Sequence, residues 1–513
     1  MLHIPDKHAA LKKVYNYDSF RSLQEDCIDS VCQGSDTAIV MATGAGKSMC
    51  YIIPAVVNGV RVLIVSPLIS LMQDQVRGLL ERGLSATFLG SCQHDENAWK
   101  DVLRGTYQYV FVTPEMMVSE RFEKVLNSEL FHVMAIDECH CVSEWGSDFR
   151  PQYRQVMCNL KRKYVKVALT ATATKKVLQD VQECLDMHGC KTFRGSVDRD
   201  NIAYHVRSKD DKDALQHMVC VICNSPGSKI IYATTVKEVM SIFELLKSKN
   251  MSASYYHASA DMEHRKGVLD GFMSGHIETV VATIAFGMGI DKENVRIVIH
   301  WGPSKSLESY YQESGRAGRD GQHSDAFLWV SRKDFVVQRQ LAKKSSRESQ
   351  ERFNDMHHYC MSSTCRRILL ARHFEQDIYP IKCRCDRCKS LSYTSSEDLT
   401  LPCTILMNAA KEGGCRFGLS TVISIVTGKN KSGTDLSRFH SWKTGSHQKE
   451  NYWRNIASQC FHNALLGDVL KETSTGISYT APFITRKGYE VILPWESFSK
   501  TVRVRYPDRN DKI

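Results

Sequence analysis

The chain has 513 residues, 42% hydrophobic and 24% charged, an ordinary globular composition at a length that asks for several domains and excludes a disordered protein. A formal net charge of +10 is a mild basic bias that fits a polyanionic partner without specifying one, and no apolar run approaches the about 18 residues that cross a bilayer. Nineteen cysteines follow a start, MLHIPDKHAALKK, that lacks the apolar core of a secretion signal, so reduced thiols in a soluble intracellular protein are expected rather than a disulfide framework.

The first informative stretch is TAIVMATGAGKSMCYIIPAVV (37–57), which reads as a buried strand, a glycine-rich turn and the first turns of a helix. In that context the backbone amides from Thr43 through Gly44, Ala45, Gly46, Lys47 and Ser48 would cradle the phosphates of ATP at a helix N-terminus. Lys47 would neutralise β/γ charge and Ser48 would place its hydroxyl on Mg²⁺. Met41 stands where such loops usually carry their first glycine. The competing reading is an ordinary glycine turn with a solvated lysine. Next, VMAIDECHCVSEW (133–145) begins as an apolar strand and ends in two adjacent carboxylates at the edge where α/β sheets bind ligands. Asp137 is the expected Mg²⁺ partner and Glu138 the candidate base for the attacking water. ALTATAT (168–174) follows another strand, and its hydroxyls could sense phosphate or cap the next helix.

From about Ser196 the alternation resumes, with KIIYATTV (229–236), TVVATIAFGMGI (279–290) and VRIVIHWG (295–302) expected as buried parallel strands. ATIAFGMGID puts small residues where backbone can approach a ligand and a domain cleft closely, with Gly287, Gly289 and Asp291 the expected contacts. SYYQESGRAGRDG then predicts a helix that includes Gln312, an expected ATP contact, and carries Arg316 and Arg319 on one face as arginine fingers for the γ-phosphate. A solvated basic helix is the alternative, and it leaves the glycines unexplained.

Cys360, Cys365, Cys383, Cys385 and Cys388 crowd one segment; a tetrahedral Zn²⁺ site takes four thiolates, so one is spare, and reactive or buried thiols are the other reading. After the polar linker SLSYTSSED (390–398), helical patterns lead to a closing strand pair, KETSTGISYTAPFITRKGYEVILP. Thr473–Gly476 would be a hairpin tip, and Lys429, Lys431, Arg438 and Lys443 are candidate phosphate contacts that could equally be solvated.

GAGKS, DECH, TATAT and QESGRAGRDG in this order resemble superfamily 2 helicases. YDSFRSLQ, SPLISLMQDQV, CHCVSEWGSDFRPQY and ATIAFGMGI narrow the resemblance to the RecQ family of DNA helicases, from about residue 10 to about 495. FLGSCQ (88–93) and the C-terminal part are most similar to its Werner-type branch. The resemblance implies an α/β fold: a first RecA-like parallel-sheet domain at 1–195, a second at 196–337, a zinc-binding helical subdomain with linker at 338–398, a winged helix at 399–495 and a tail at 496–513. It implies that Tyr17 stacks on adenine while Arg21 and Gln24 read its edge. Trp145, Phe149 and Arg150 would couple single-stranded DNA to hydrolysis, with Thr170, Thr172, Gly287 and Asp291 serving the same coupling. Among the cysteines it selects Cys365, Cys383, Cys385 and Cys388 for a structural zinc and leaves Cys360 out.

The implied activity is ATP-dependent 3′ to 5′ unwinding of forked and branched DNA, with Mg²⁺ and Zn²⁺ as cofactors. The implied setting is the nucleus, with repair and recombination proteins as partners and no membrane. Departures from the family pattern are Ser147 in the aromatic-rich loop, Ser259 in YHAS and Asp200 in VDRDN, where proline is usual. The residues after Pro494 are too few for the helical module that some members append, and none upstream of Tyr17 suits an exonuclease. A DNA-binding scaffold with a regulatory ATP site and an RNA helicase are the two alternatives. The complete set Lys47, Asp137, Glu138, Arg316 and Arg319 argues against the scaffold.

Overall fold

The computed structural model describes residues 1–67, 69–90, 96–146, 149–158, 164–287, 290, 292–331, 333–336, 338, 347–391, 399–414, 416–429, 435–462, 465–472, 478–485 and 488. Ser147, Gly289, Asp291, Lys431, the Thr473–Gly476 tip and the 496–513 tail lie outside them. Contacts divide the chain into Met1–Cys360 with Thr364–Lys389, and Met361–Ser363 with Ser390–Ile513.

The larger unit contains two parallel sheets. The first comprises β1 (Thr37–Val40), β2 (Val62–Val65), β3 (Ala86–Leu89), β4 (Tyr109–Val112), β5 (Val133–Ile136), β6 (Val165–Thr170) and β7 (Lys191–Arg194), in the order β3-β4-β2-β5-β6-β1-β7. VLIV, YVFV and VMAI are buried along their whole length, as strands covered on both faces must be. Register pairs Val40 with Thr170 and Ile136 with Ala168, so the loops after β1, β5 and β6 leave from one edge of the sheet. That edge is where the phosphate loop, the acidic pair and TATAT meet.

The second sheet comprises β8 (Ile202–Ser208), β9 (Ser228–Ala233), β10 (Ala253–Tyr256), β11 (Thr279–Ala282), β12 (Val295–Trp301) and β13 (Ser324–Val330), in the order β10-β11-β9-β12-β13-β8. Two expectations are corrected here. The strand expected over 279–290 stops at Ala282, where the chain turns through Phe286 N–H to the Thr283 carbonyl and leaves Ile284 exposed. The helix expected to carry Arg316 and Arg319 is Leu307–Ser314 and ends before both. Gly318, at φ +57°, takes the following residues through tight turns, and a Cβ there would meet the Gln322 carbonyl oxygen at 2.7 Å.

Among the described cysteines only Cys158 and Cys184 are bonded to each other, and the others are free thiols. The smaller unit packs helices Thr400–Gly413, Leu419–Thr427 and Glu450–His462 with a hairpin of β14 (Leu466–Glu472) and β15 (Ser478–Ile484) around Ile405, Leu406, Ile425, Trp453 and Ile456. No helix among the described residues is long and apolar enough to cross a membrane.

Candidate nucleotide cleft and zinc knot

The phosphate loop is shaped by Gly44 and Gly46, at φ +83° and +79°. A Cβ on Gly46 would lie 2.4 Å from Gln24 Nε2, so that position is closed to larger residues twice over, by φ and by contact. Gln24 Nε2 donates to the Ala45 carbonyl at 3.0 Å and Arg21 Nη1 to the Gly44 carbonyl at 3.0 Å. The two residues expected at the adenine edge thus hold the loop itself here. Tyr17, half exposed, lines an open recess with Phe20, Arg21, Gln24 and Met49 beside them.

Lys47 donates to the Met41 carbonyl at 3.2 Å, and burial pushes its pKa down against the pull of Glu138 and Asp137. Burial and the neighbouring Glu138 charge raise Asp137 to about 6. Burial would raise Glu138 as well, but His140 outweighs it, with help from Lys47 and Arg316, and holds this carboxyl below its usual range. His140 Nδ1 lies 3.3 Å from Glu138 Oε2 and 2.9 Å from Thr170 Oγ1, while the Thr172 amide donates to the same Thr170 oxygen at 3.1 Å. DECH and TATAT are therefore one network. Its centre, His140, belongs to a quoted motif but received no role from the sequence. Of the two readings left open for TATAT the structure shows the cap, Thr174 accepting from the Val177 amide at the start of helix Lys175–Cys184, while Thr170 bonds His140.

Arg316 and Arg319 reach this edge from the second sheet. Arg319 packs on Gly44, where an added Cβ would be 3.4 Å from its Cγ, and its charge bears on Lys47. Arg316 is buried, bears on Glu138 and comes near Gly287, whose added Cβ would lie 3.8 Å from Nη2. Gly287 thus sits beside the finger turn, and Gln312 is buried on the helix leading into it. Ser48 closes the loop just ahead of helix Met49–Asn58.

In the aromatic-rich loop Trp145 is 38% exposed, which removes the core-packing reading. Lys176 Nζ stands 2.9 Å from its ring centroid, and Arg352 donates to the Trp145 and Gly146 carbonyls at 3.2 and 2.9 Å. Phe149 is half-buried, and Arg150 donates to the Pro67 carbonyl at 3.0 Å.

Cys365, Cys383, Cys385 and Cys388 place their sulfurs within 4.8 Å of one another, a donor set that fits a tetrahedral zinc and leaves no position open. Cys360 is outside the set, and burial pushes its thiol up to about 12. Arg366, fully buried, grips Asp386 through Nε and Nη2 at 2.9 and 3.0 Å, tying the first cysteine's helix to the last two ligands.

Residues 21–181 match the DEAD/DEAH box helicase family, 212–321 the helicase conserved C-terminal domain and 330–389 the RecQ zinc-binding family. The ATP-dependent DNA helicase RecQ of Haemophilus influenzae is 34% identical over 492 residues, covering 93% of this chain and 78% of that protein. The chain belongs to the RecQ family. Its RecQ relatives include the Bacillus subtilis protein, 34% identical over 96% of this chain and 84% of its own, and ATP-dependent DNA helicase Q1 of Pongo abelii, 36% identical over 78% and 65%. The fold is also that of yeast Dbp5 bound to RNA and ADP BeF3, at TM-score 0.56 and 15% identity over 74% of this chain and 95% of that one. It is shared with Mycobacterium smegmatis helicase Lhr bound to ssDNA and AMP-PNP, at TM-score 0.54 and 16% identity over 93% and 60%.

Proposed function

We propose that this RecQ-family chain is an ATP-dependent DNA helicase that separates duplex, forked and branched DNA, travelling 3′ to 5′, in repair, recombination and replication-fork maintenance. The observation that carries the reading is the meeting of Arg316 and Arg319 from the second sheet with Lys47, Gly44 and Glu138 of the first. Hydrolysis at such a cleft depends on domain closure, which lets DNA on the two domains control it.

Lys47 would take the phosphate charge and Glu138, kept ionised, would orient the attacking water and accept its proton. Arg316 and Arg319 would stabilise the charge developing on the transferred phosphoryl group. Ser48 and the buried Asp137 would supply oxygen ligands to Mg²⁺, which when bound neutralises β/γ-phosphate charge. The His140–Thr170–Thr172 network would relay the state of Glu138 along the sheet edge toward the loop of Trp145, Phe149 and Arg150. The smaller unit's three helices and hairpin suit a winged helix, with exposed Lys429, Arg438 and Lys443 as phosphate contacts. Nuclear residence rests on the eukaryotic members alone, and bacterial relatives match at nearly the same identity.

Hydrolysis and strand separation followed together on a 3′-tailed fork test the proposal, beside Lys47→Ala. Turnover and separation should disappear in the variant while DNA binding persists; equal turnover by the variant would remove Lys47 from its role. One relative bears the name of an RNA helicase, from Acanthamoeba polyphaga mimivirus at 33% identity, so RNA and DNA duplexes of equal length belong in the same assay. Faster separation of RNA would reverse the assignment.

A further inference from the structure

The segment that joins the two sheets carries Arg199, in the VDRDN run whose departure from the family pattern is its next residue, Asp200. All the N–H donors of the Arg199 guanidinium are directed at oxygens. Nη1 donates to the Thr43 carbonyl of the phosphate loop at 3.3 Å and to the Gly315 carbonyl at 3.2 Å. Nη2 donates to the carbonyls of Ala317 and Gly318 at 3.0 and 3.1 Å, and Nε to Asn201 Oδ1 at 3.4 Å. Gly315, Ala317 and Gly318 frame Arg316 and immediately precede Arg319. One planar cation therefore bonds the backbone on both sides of the nucleotide cleft.

We infer that Arg199 is a positioning residue for ATP hydrolysis: it seats the turn bearing Arg316 and Arg319 against the phosphate loop, without itself reaching the nucleotide. The chemistry of its partners supports this. Turn carbonyls beyond a helix end have no partner within the helix, and here they converge on a single fork. Only arginine offers that many donors in one rigid plane; lysine has a point charge and three donors on a flexible stem.

The seat is itself held in place. Asn201 Nδ2 donates to the Gly318 and Gln322 carbonyls at 2.8 and 3.0 Å, and Tyr311 Oη donates to the Val197 carbonyl at 2.9 Å. On the other flank Arg367, next to the buried arginine of the zinc knot, donates through Nε to Asp198 Oδ1 at 2.7 Å, and Gln376 bonds the Val197 amide and the Gly195 carbonyl. The zinc subdomain thus fixes the segment from which Arg199 extends, and a change there would reach the finger turn through one residue. A misplacement of a finger by about 1 Å is enough to cost about 10²-fold in rate.

This inference rests on the helicase reading, and the experiment separates the two. Steady-state ATP hydrolysis on 3′-tailed DNA is measured for the full chain, Arg199→Ala, Arg199→Lys, Arg316→Ala and the Arg199→Ala/Arg316→Ala double variant, with thermal melting of each. The expected result is a fall in kcat of about tenfold or more for Arg199→Ala, in keeping with a misplaced finger, while KM for ATP stays within about threefold. Arg199→Lys should recover only a small part, and the double variant should lose less than the product of the two single losses, because Arg199 acts partly through Arg316. A folded Arg199→Ala variant with wild-type kcat, or losses that multiply in the double variant, would overturn the inference. Should Arg199→Ala fail to melt cooperatively, Arg199→Lys decides: wild-type kcat there overturns it and reduced kcat at unchanged KM supports it. A wild-type chain with no DNA-stimulated hydrolysis would instead sink the helicase reading.

Discussion

Glu138 occupies a left-handed backbone conformation, φ +47°, that few non-glycine residues adopt. The cost, on the order of 1 kcal/mol or more, is borne at the position whose carboxylate charge bears on Lys47 of the phosphate loop. Glu138→Gln keeps the shape and removes the base, so kcat should fall by about 10²–10⁴ with ATP affinity nearly unchanged. Stopped-flow hydrolysis with parallel nucleotide binding measures both, and a parallel loss of affinity would show that the side chain holds the nucleotide instead. The meeting of Lys47, Asp137 and Glu138 was legible because each follows a buried strand at one sheet edge, where their charges bear on one another. Arg199 was not, because four of its five bonds go to main-chain carbonyls, which any sequence supplies. His140 was half-legible: its motif was evident, but the bond to Thr170 exists only through the parallel register of β6 beside β1 and β5.

Elements were read well where burial dictates them and less well where glycine intervenes. The apolar runs of β1, β5 and β12 announce buried parallel strands. The run 279–290 does not, since its apolar letters continue past Ala282 into a turn that exposes Ile284. The RAGR segment likewise looks helical by spacing, but Gly315 and Gly318 end the helix and put the two arginines on successive turns. The zinc knot gives a sharper element-scale prediction. Metal analysis should find about one zinc per chain; Cys385→Ser should lose it and Cys360→Ser should keep it, and the reverse would mean that the four sulfurs are not the ligand set.

Helix Arg366–His373 also ends in a titrating pair. His373 Nε2 lies 2.8 Å from Glu308 Oε1, with Asp355 at 3.5 Å from Nδ1. Burial lowers the His373 pKa, but Glu308 and Asp355 outweigh it and the net shift is upward; burial raises Glu308, but His373 outweighs it and holds it at about 2. A raised histidine stabilises fully below its ordinary value of 6.5 and loses that contribution as pH rises through the raised one, whereas Glu308 contributes above 4.5 and loses it only toward pH 2. The Tm difference between wild type and His373→Gln should therefore be largest near pH 6 and shrink by pH 9. A pH-independent difference would assign the pair no titrating role.

At the scale of the molecule, two parallel sheets of similar build present their functional loops to one cleft, and the residues that matter chemically are split between them. The first sheet holds the phosphate loop and acidic pair, and the second contributes the arginines, so neither half completes the site. The segment 195–201 is bonded to that cleft through Arg199 and to the zinc subdomain through Asp198, so the inferred role of Arg199 depends on the subdomain that holds its segment. The same division explains what sequence could convey: two motif sets far apart in the chain imply two domains, while the seating of one on the other depends on side chain to backbone bonds whose acceptors the sequence does not name.

The most direct test follows ATP hydrolysis and strand separation in one reaction on a 3′-tailed fork, for wild type, Glu138→Ala and Arg319→Ala. The expected result is hydrolysis that rises with DNA and accompanies separation in wild type, with both lost in each variant although each still binds the fork. DNA binding by the wild type without turnover, or separation that survives loss of either side chain, would contradict a motor built on this cleft.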